Sequence, residues 1–280
     1  MENKWYYRWA PSLGDGFAGT PEQVWGVEKY DPEKHINENV VFCGLYGLPD
    51  FYALWRHNGR KAIFWCGSDI RHFVQGYFLD DIGRIRIDPL PLVKWISKYC
   101  ESWVENLVER KKLEEFKIYP KVGASFFGDV NKFPLSYQWS KKPKLYTSVS
   151  GNDFQIYGWD KIDELACKYP AYEFHLYGNS VPWKTKRKNI IVHGRVSQEQ
   201  MNKEIKTMQG ALRLVEFEGA SELIVKAMLM GQYAFSSIPY IGVSSIDEMG
   251  ILETQNENNR ELTRKFWVEN LNLFPWNLKK

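Results

Sequence analysis

The sequence predicts an α/β fold made of two Rossmann-like, doubly wound domains facing a cleft. Short apolar runs alternate with stretches of helical periodicity along most of the chain, and this alternation is the pattern of parallel strands joined by helices. A proline among lysines at residues 140–144 interrupts the alternation and is typical of a linker. The 280 residues, 44% of them hydrophobic, are enough for two cores, so we expect two domains that meet near residue 140.

The first half opens with a strand and a glycine-rich loop. We predict strands at 4–11, 39–46, 61–66 and 121–127, and helices at 48–57, 92–100 and 102–116. The loop at 12–21 follows the first strand, which is where open α/β sheets bind ligands, but its glycines lack the spacing of a dinucleotide site. The charged run at 109–115 is typical of a solvated helix face.

The second half repeats the alternation more regularly. We predict strands at 145–150, 172–178, 189–194, 211–215 and 233–236, and helices at 159–169, from Ser197 onward, at 221–231 and at 258–274. We therefore assign residues 1–140 to an N-terminal domain and 141–257 to a second domain. Residues 258–280 form a C-terminal helix, which we expect to pack back toward the first domain.

Residues 213–231 predict a strand, a tight turn and a buried helix. Ser221 is a favourable N-cap, and Gly231 can take the left-handed conformation that ends a helix. The turn Glu218-Gly219-Ala220 places backbone N–H groups at the positive end of the helix dipole, which is an arrangement that suits a phosphate.

Asp69 is a second candidate for chemistry, because it follows the predicted strand at 61–66 and precedes His72 by three residues. A carboxylate at this position either caps a helix or takes a catalytic or acceptor-binding role. The sequence leaves both interpretations open.

Composition narrows the class of protein without identifying it. The net charge of +3 and the pI of about 8.5 are too mild to indicate nucleic acid, whereas the 12 tryptophans are numerous enough to provide platforms for sugar rings or bases. Four dispersed cysteines predict reduced thiols in a cytoplasm-like compartment. No apolar run reaches the roughly 20 residues of a spanning helix, so we expect a cytoplasmic protein, with peripheral association with a membrane left open.

The second half resembles the donor-binding domain of GT-B fold glycosyltransferases, in particular the large group 1 family. The residues that carry the resemblance are Tyr157-Gly158 at a helix start, the strand at 172–178, the segment 190–197 and above all 218–231. Order and spacing match over about residues 140–240. The first half matches more loosely, in Gly67-Ser68-Asp69 and in the loop near Ser12.

The resemblance implies a nucleotide-sugar donor, UDP-linked, bound in a cleft between the two domains. Backbone N–H groups around Gly219 would meet phosphate or sugar, Arg213 would face the diphosphate, and Glu218 would contact sugar hydroxyls. The candidate catalytic residues are Asp69, Arg213 and Glu218. The candidate donor-binding residues are Gly14, Asp15, Gly16, Gly151, Tyr157, Arg195, Val196, Gly219, Ala220, Ser221, Glu222 and Lys226.

Two departures from the family pattern concern the donor. The family has a ribose-binding glutamate where this chain has Lys226, and a lysine cannot accept hydrogen bonds, so either Glu222 takes over or the donor is held differently. Glu222 and Lys226 are also spaced to form a simple i,i+4 ion pair. The basic pair that the family often has in the first loop of this domain is replaced by Asn152 and Tyr157, so Arg213 would meet most of the leaving-group charge.

The predicted function is therefore transfer of a sugar to a hydroxyl acceptor, with retention of configuration. The sequence has no Asp-x-Asp motif and no metal-ligand spacing, so we expect neither a metal nor a cofactor beyond the nucleotide-sugar co-substrate. The acceptor is expected to be a glycan or lipid-linked glycan. Two alternatives remain: a phage-type DNA glycosyltransferase acting on a hydroxymethylated base, suggested by the basic residues at 184–188, and a non-catalytic nucleotide-sugar binding module.

Overall fold

The computed structural model describes residues 4–13, 22, 26–123, 126, 129–136, 142–149, 154–178, 185–240, 242–253, 261, 264–265 and 268–269. These residues divide into two compact units. The first contains the described parts of Met1–Asp129 together with Phe217–Ala220, and the second contains those of Val130–Glu216 and Ser221–Glu269. The chain thus enters the second unit ahead of the predicted linker, and a short segment returns to the first unit.

The first unit is a six-stranded parallel sheet with helices in the connections. Its elements are β1 (Trp5–Trp9), β2 (Glu28–Lys29), β3 (Asn39–Cys43), α1 (Leu48–Arg56), β4 (Lys61–Phe64), α2 (Ser68–Val74), β5 (Tyr77–Asp80), β6 (Gly83–Arg86), α3 (Pro89–Tyr99), β7 (Glu101–Val104), α4 (Leu107–Glu114) and β8 (Lys121–Val122). The strand order is β2-β1-β3-β4-β7-β8, and β5 and β6 form a separate antiparallel pair. The predicted doubly wound type of sheet is confirmed.

Both faces of this sheet are covered, which explains the continuous apolar run of β3. Val40 and Phe42 pack in one core cluster, whereas Val41 and Cys43 pack in another, as the two-residue period of a strand requires. Parallel strands buried on both faces have this composition because neither set of side chains meets water.

One predicted helix of the first half is wrong at its start. Residues 102–116 were expected to be helical, but the chain forms β7 before α4 begins at Leu107. Trp103 pairs with Phe64 of β4, and Trp103 and Val104 belong to different core clusters. Burial on both sheet faces therefore overrides the helical pattern at this position.

The second unit is a five-stranded parallel sheet. Its elements are β9 (Lys144–Ser148), α5 (Trp159–Lys168), β10 (Glu173–Tyr177), β11 (Ile190–Gly194), α6 (Gln198–Ile205), β12 (Gly210–Arg213), α7 (Glu222–Leu229) and β13 (Tyr233–Ser236). The strand order is β11-β10-β9-β12-β13. From β9 the chain builds outward to β11 and then returns to place β12 on the other side of β9, so the topological switch point lies between β9 and β12.

Helix boundaries in this unit largely follow the sequence signals. Ser197 caps α6 by accepting from the Gln200 N–H at 3.1 Å. Helix α7 is buried from Leu223 to Leu229 and is followed by Gly231 at a φ of 70°, both as predicted. Ser221 occupies the N-cap position of α7, but its side chain makes no capping hydrogen bond.

The final predicted helix falls mostly outside the described residues. Residues 261, 264–265 and 268–269 are helical, and the remainder of 258–280 is not described. No helix in the described part of the chain is long and apolar enough to span a bilayer.

Candidate donor site in the second unit

Arg213 lies at the switch point of the second sheet, on the last residue of β12. Strands β9 and β12 pair only through Gly210 with Leu145 and Ala211 with Tyr146, so the ladder between them stops before their carboxyl ends. The Arg213 side chain bridges the ends by donating from Nη1 to the Ser148 carbonyl at 2.7 Å. Ligands of open α/β sheets bind outside the carboxyl ends of strands at such a point.

The guanidinium of Arg213 is held on two sides. It lies over the Tyr157 ring, with Cζ 4.4 Å from the ring centroid, while Nη1 is bonded to the end of β9. Only 7% of Arg213 is exposed. Arg213 and Tyr157, which the sequence selected as separate candidates, are therefore brought together, as a cation of fixed orientation stacked on an aromatic face.

Gly158 allows α5 to begin close to the end of β12. Its φ is 71°, and a Cβ at this position would lie 2.5 Å from the Leu214 carbonyl oxygen. A side chain here would have to push α5 away from the residue that follows Arg213. Glycine therefore fixes the N-terminus of α5, with its positive dipole end, beside the carboxyl end of β12.

Lys226 and Glu222 form the i,i+4 pair that their spacing allows. Lys226 Nζ lies 3.2 Å from Glu222 Oε2, and the two side chains are only 11% and 24% exposed. The ammonium also lies over the Phe133 ring, 5.5 Å from its centroid. The pair is therefore largely desolvated and is not an ordinary solvated ion pair.

The turn Glu218-Gly219-Ala220 is built into the first unit. Asn106 donates from Nδ2 to the Glu218 carbonyl at 2.9 Å, and the Ala220 N–H donates to Glu105 Oε2 at 2.5 Å. The Ala220 N–H was expected to be open to a phosphate or sugar. In this structure a carboxylate of the same unit already accepts its hydrogen bond, so the N–H is occupied.

Glu109 belongs to the same buried group of acids. Its Oε2 accepts from the Glu105 N–H at 2.7 Å, while Asn106 Oδ1 caps α4 by accepting from the N–H groups of Val108 and Glu109. Burial, followed by the charge of Glu105, raises the pKa of Glu109 well above its usual range. Assigning Glu109 to a solvated helix face was wrong, although its neighbour Arg110 is exposed.

Asp69 is buried at the start of α2. Its carboxylate accepts from the backbone N–H groups of Leu45, Cys66 and Ile70 at 2.9, 3.0 and 2.8 Å. Burial raises the pKa of Asp69 to about 6, and the backbone hydrogen bonds oppose that rise. This geometry favours the structural alternative, in which Asp69 anchors the strand ends to α2, over a catalytic one.

The remaining candidates divide by location. Arg195 is exposed and Val196 half-buried, immediately after β11. His72 lies between the Tyr46 and Tyr77 rings, and burial lowers its pKa to about 4. Gly14, Asp15, Gly16 and Gly151 lie outside the described residues.

Four contributors to these sites were missed in the sequence: Ser148, Glu105, Asn106 and Glu109. Ser148 acts through its backbone carbonyl, which carries no residue-specific signal. For Asn106 a signal was present, because an N-cap residue followed three positions later by glutamate is the pattern of a helix start. Glu105 had no local signal, since its partner is 115 residues away in the chain.

Two doubly wound units are the architecture of the GT-B fold, the fold of GT-B glycosyltransferases. Solved structures of that class are similar to this chain. HepE from Anabaena, solved with UDP-glucose, has 11% identity and a TM-score of 0.55 over 85% of this chain and 76% of HepE. Sucrose-phosphate synthase from Thermosynechococcus elongatus has 12% identity and a TM-score of 0.54 over 86% and 68%.

TarM has 16% identity to this chain and a TM-score of 0.52, over 83% of this chain and 50% of TarM. A TarM variant from S. aureus has been solved with UDP, and this chain spans about half the length of TarM. No protein-family model and no curated protein matches the sequence. At these identities the likeness shows the fold, which is GT-B.

Proposed function

We propose that this protein is a glycosyltransferase that takes a sugar from a UDP-sugar. The observation that carries the proposal is Arg213, a nearly buried cation fixed at the switch point of the second sheet by Ser148 and Tyr157. A nucleotide-sugar releases a diphosphate, and a pre-oriented guanidinium stabilises the charge that develops on that leaving group without reorganising. The UDP and UDP-glucose complexes of TarM and HepE support the choice of donor.

The acceptor we propose is a glycan or lipid-linked glycan. Tyr52 and Trp55 on α1 are each 55% exposed, with ring centroids 6.0 Å apart, and exposed aromatic rings of this kind stack on sugars. We further propose that transfer retains the anomeric configuration and needs no metal. Peripheral association with a membrane would bring such an enzyme to a lipid-linked acceptor.

The DNA alternative gains no support from the structure. Arg187, in the basic loop that suggested it, is engaged by Asp163 at 3.2 Å. A DNA acceptor therefore stays a prediction from sequence alone.

A non-catalytic nucleotide-sugar binding module is a second candidate, favoured by Lys226. The largely desolvated pair of Lys226 with Glu222 occupies the place where the family pattern has a ribose-binding glutamate. Glu222 keeps carboxylate oxygens that can accept from ribose hydroxyls, but one of them already faces the ammonium. Such a site would hold a donor without the usual ribose contact.

The first experiment measures UDP binding by calorimetry. We expect Arg213→Ala to weaken UDP binding by about 10- to 100-fold, which corresponds to the roughly 1.5–3 kcal/mol of a hydrogen bond to a charged group. Arg187→Ala, which removes an arginine paired with Asp163 in the same unit, is the matched control and should leave UDP affinity unchanged. Equal affinities for the two variants would remove Arg213 from the donor site.

The second experiment separates the two candidate functions by turnover. UDP release from a panel of UDP-sugars is followed with and without glycan acceptors, in the presence of EDTA. A transferase releases UDP only with its acceptor, and NMR of the product reports whether the anomeric configuration is retained. UDP binding without any release from the panel would favour the binding module.

A further inference from the structure

The Ala220 N–H is occupied by an oxyanion that belongs to the protein itself. Glu105 Oε2 accepts from this N–H at 2.5 Å, and a carboxylate acceptor makes such a hydrogen bond stronger than a neutral one. Glu105 is the first residue after β7, and only 7% of its surface is exposed. Its carboxylate therefore stands where the turn would otherwise offer a backbone donor to an incoming anion.

The neighbouring residues are shaped around this contact. A Cβ on Gly219 would overlap the Glu105 carboxylate, and a Cβ on Gly67 would lie 2.6 Å from the Gly219 nitrogen. Asn106 holds the other side of the turn by donating to the Glu218 carbonyl. The two glycines thus leave room for the carboxylate to approach the turn, and Asn106 holds the turn in place.

Glu109 has a buried carboxyl oxygen without a hydrogen-bond partner in the described part of the chain, which independently indicates a ligand at this turn. It is fully buried, and its Oε1 has no hydrogen-bond partner among the residues that the structure describes. This oxygen lies 3.3 Å from the position of a Cβ on Gly219, so it faces the same turn. Burial and the charge of Glu105 raise the pKa of Glu109, which favours the neutral carboxyl, the form that has a proton to donate.

We infer that Glu105 is a built-in competitor of the donor: its carboxylate occupies the Ala220 N–H and must leave before a phosphate oxygen of the nucleotide-sugar can bind at the turn Glu218-Gly219-Ala220. This inference rests on the proposed function for the identity of the ligand. A carboxylate and a phosphate are both oxyanions that accept from backbone N–H groups, and one N–H cannot serve both. When Glu105 is displaced, the Ala220 N–H and the Glu109 hydroxyl can both face the incoming oxygen.

The test is a gain of affinity, which loss of folding cannot produce. Glu105→Ala removes both the charge and the acceptor, and UDP should bind about tenfold more tightly, the worth of one charge-assisted hydrogen bond. Glu105→Gln keeps a neutral acceptor for the Ala220 N–H and should give an intermediate gain. Glu114→Gln, which removes a half-buried, ion-paired carboxylate at the end of α4, should leave UDP affinity unchanged.

Inorganic pyrophosphate, titrated in parallel, separates the inference from the proposed function. If the wild type binds UDP and neither Glu105 variant binds it more tightly, the inference is overturned and the proposed function stands. If pyrophosphate binds the Glu105 variants more tightly than the wild type but no form binds UDP, the competitor is real and the proposed ligand is wrong. If no form binds either anion, both are overturned.

Discussion

At the scale of single residues, Asp69 shows how a carboxylate at a strand end can be structural. Its two oxygens accept three backbone N–H groups in a site that excludes water. We expect Asp69→Asn to lower the free energy of unfolding by about 1–3 kcal/mol, because the new NH2 group would face backbone donors. Urea unfolding followed by circular dichroism measures the change, and UDP affinity should be unaffected.

Asp88→Asn is the matched control for that substitution. Asp88 caps α3 by accepting from the Leu90 N–H at an exposed position, and asparagine caps a helix equally well. Its stability should stay within about 0.5 kcal/mol of the wild type. Loss of turnover in Asp69→Asn without loss of stability would restore the catalytic interpretation of Asp69.

His175 and His193 predict a dependence of stability on pH. His175 Nδ1 and His193 Nε2 lie 2.9 Å apart. Glu173 Oε2 lies 3.5 Å from His175 Nε2, and Glu204 Oε2 lies 3.4 Å from His193 Nδ1. Burial lowers the pKa of both imidazoles, and His193 lowers that of His175 further. In the unfolded chain both imidazoles have a pKa of about 6.5, whereas in the folded protein their pKa is lower. The unfolded state therefore binds more protons as the pH falls, so the pair's contribution to folding stability is complete above about pH 6.5 and is lost below it.

Thermal unfolding between pH 7.5 and 5 checks this sign. The histidine pair lowers the melting temperature as the pH falls, whereas the raised pKa values of Asp69 and Glu109 act in the opposite direction. Relative to the wild type, His175→Gln should therefore shift the slope toward a smaller loss, or a larger gain, of melting temperature on acidification. Lys203→Gln, on an exposed position of α6, changes a charge in the same unit without touching an imidazole and should leave the slope unchanged. Identical slopes in all three proteins would show that the histidine pair does not contribute.

At the scale of elements, the join between β12 and α5 depends on one backbone conformation. We expect Gly158→Ala to lower the free energy of unfolding by about 1–3 kcal/mol, because a left-handed φ and a 2.5 Å contact with the Leu214 carbonyl oppose a side chain. Urea unfolding measures this change. Gly250→Ala is the matched control, since a Cβ there meets nothing within 4 Å, and a comparable loss in the control would contradict the argument.

Elements with a strong local pattern were predictable, whereas the short strands β2, β5 and β6 and the strand β7, which depends on distant neighbours, were not. The apolar α7 and the Ser197 start of α6 were both confirmed from sequence signals. β7 was not foreseen, because Trp103 and Val104 are compatible with a helix until β4 and β8 place them inside a sheet. Local periodicity predicts which side of an element is buried. It does not predict the neighbouring strands whose packing decides whether a short apolar segment becomes a helix or a strand.

At the scale of the molecule, alternation of strands and helices predicted two doubly wound units and, with them, Arg213 as a candidate donor-site residue. The ends of parallel strands are where ligands bind, so a cation ending β12 could be selected before any geometry was known. Tyr157, one partner of Arg213, was among the sequence candidates, but Ser148 could not be chosen in this way because it acts through its backbone carbonyl. Nor could the Glu105 contact, because it depends on how Phe217–Ala220 returns to the first unit.

The return of Phe217–Ala220 to the first unit also sets an order for biosynthesis. Asn106 and Glu105 leave the ribosome 112 and 115 residues before the backbone groups they bind. Until those groups emerge, the nascent first unit lacks the turn that contacts Glu105 and Glu109, two acids that are buried in the complete protein. Its completion therefore waits for most of the second unit to be synthesised, and a fragment ending at Asp129 would stop at that unfinished stage.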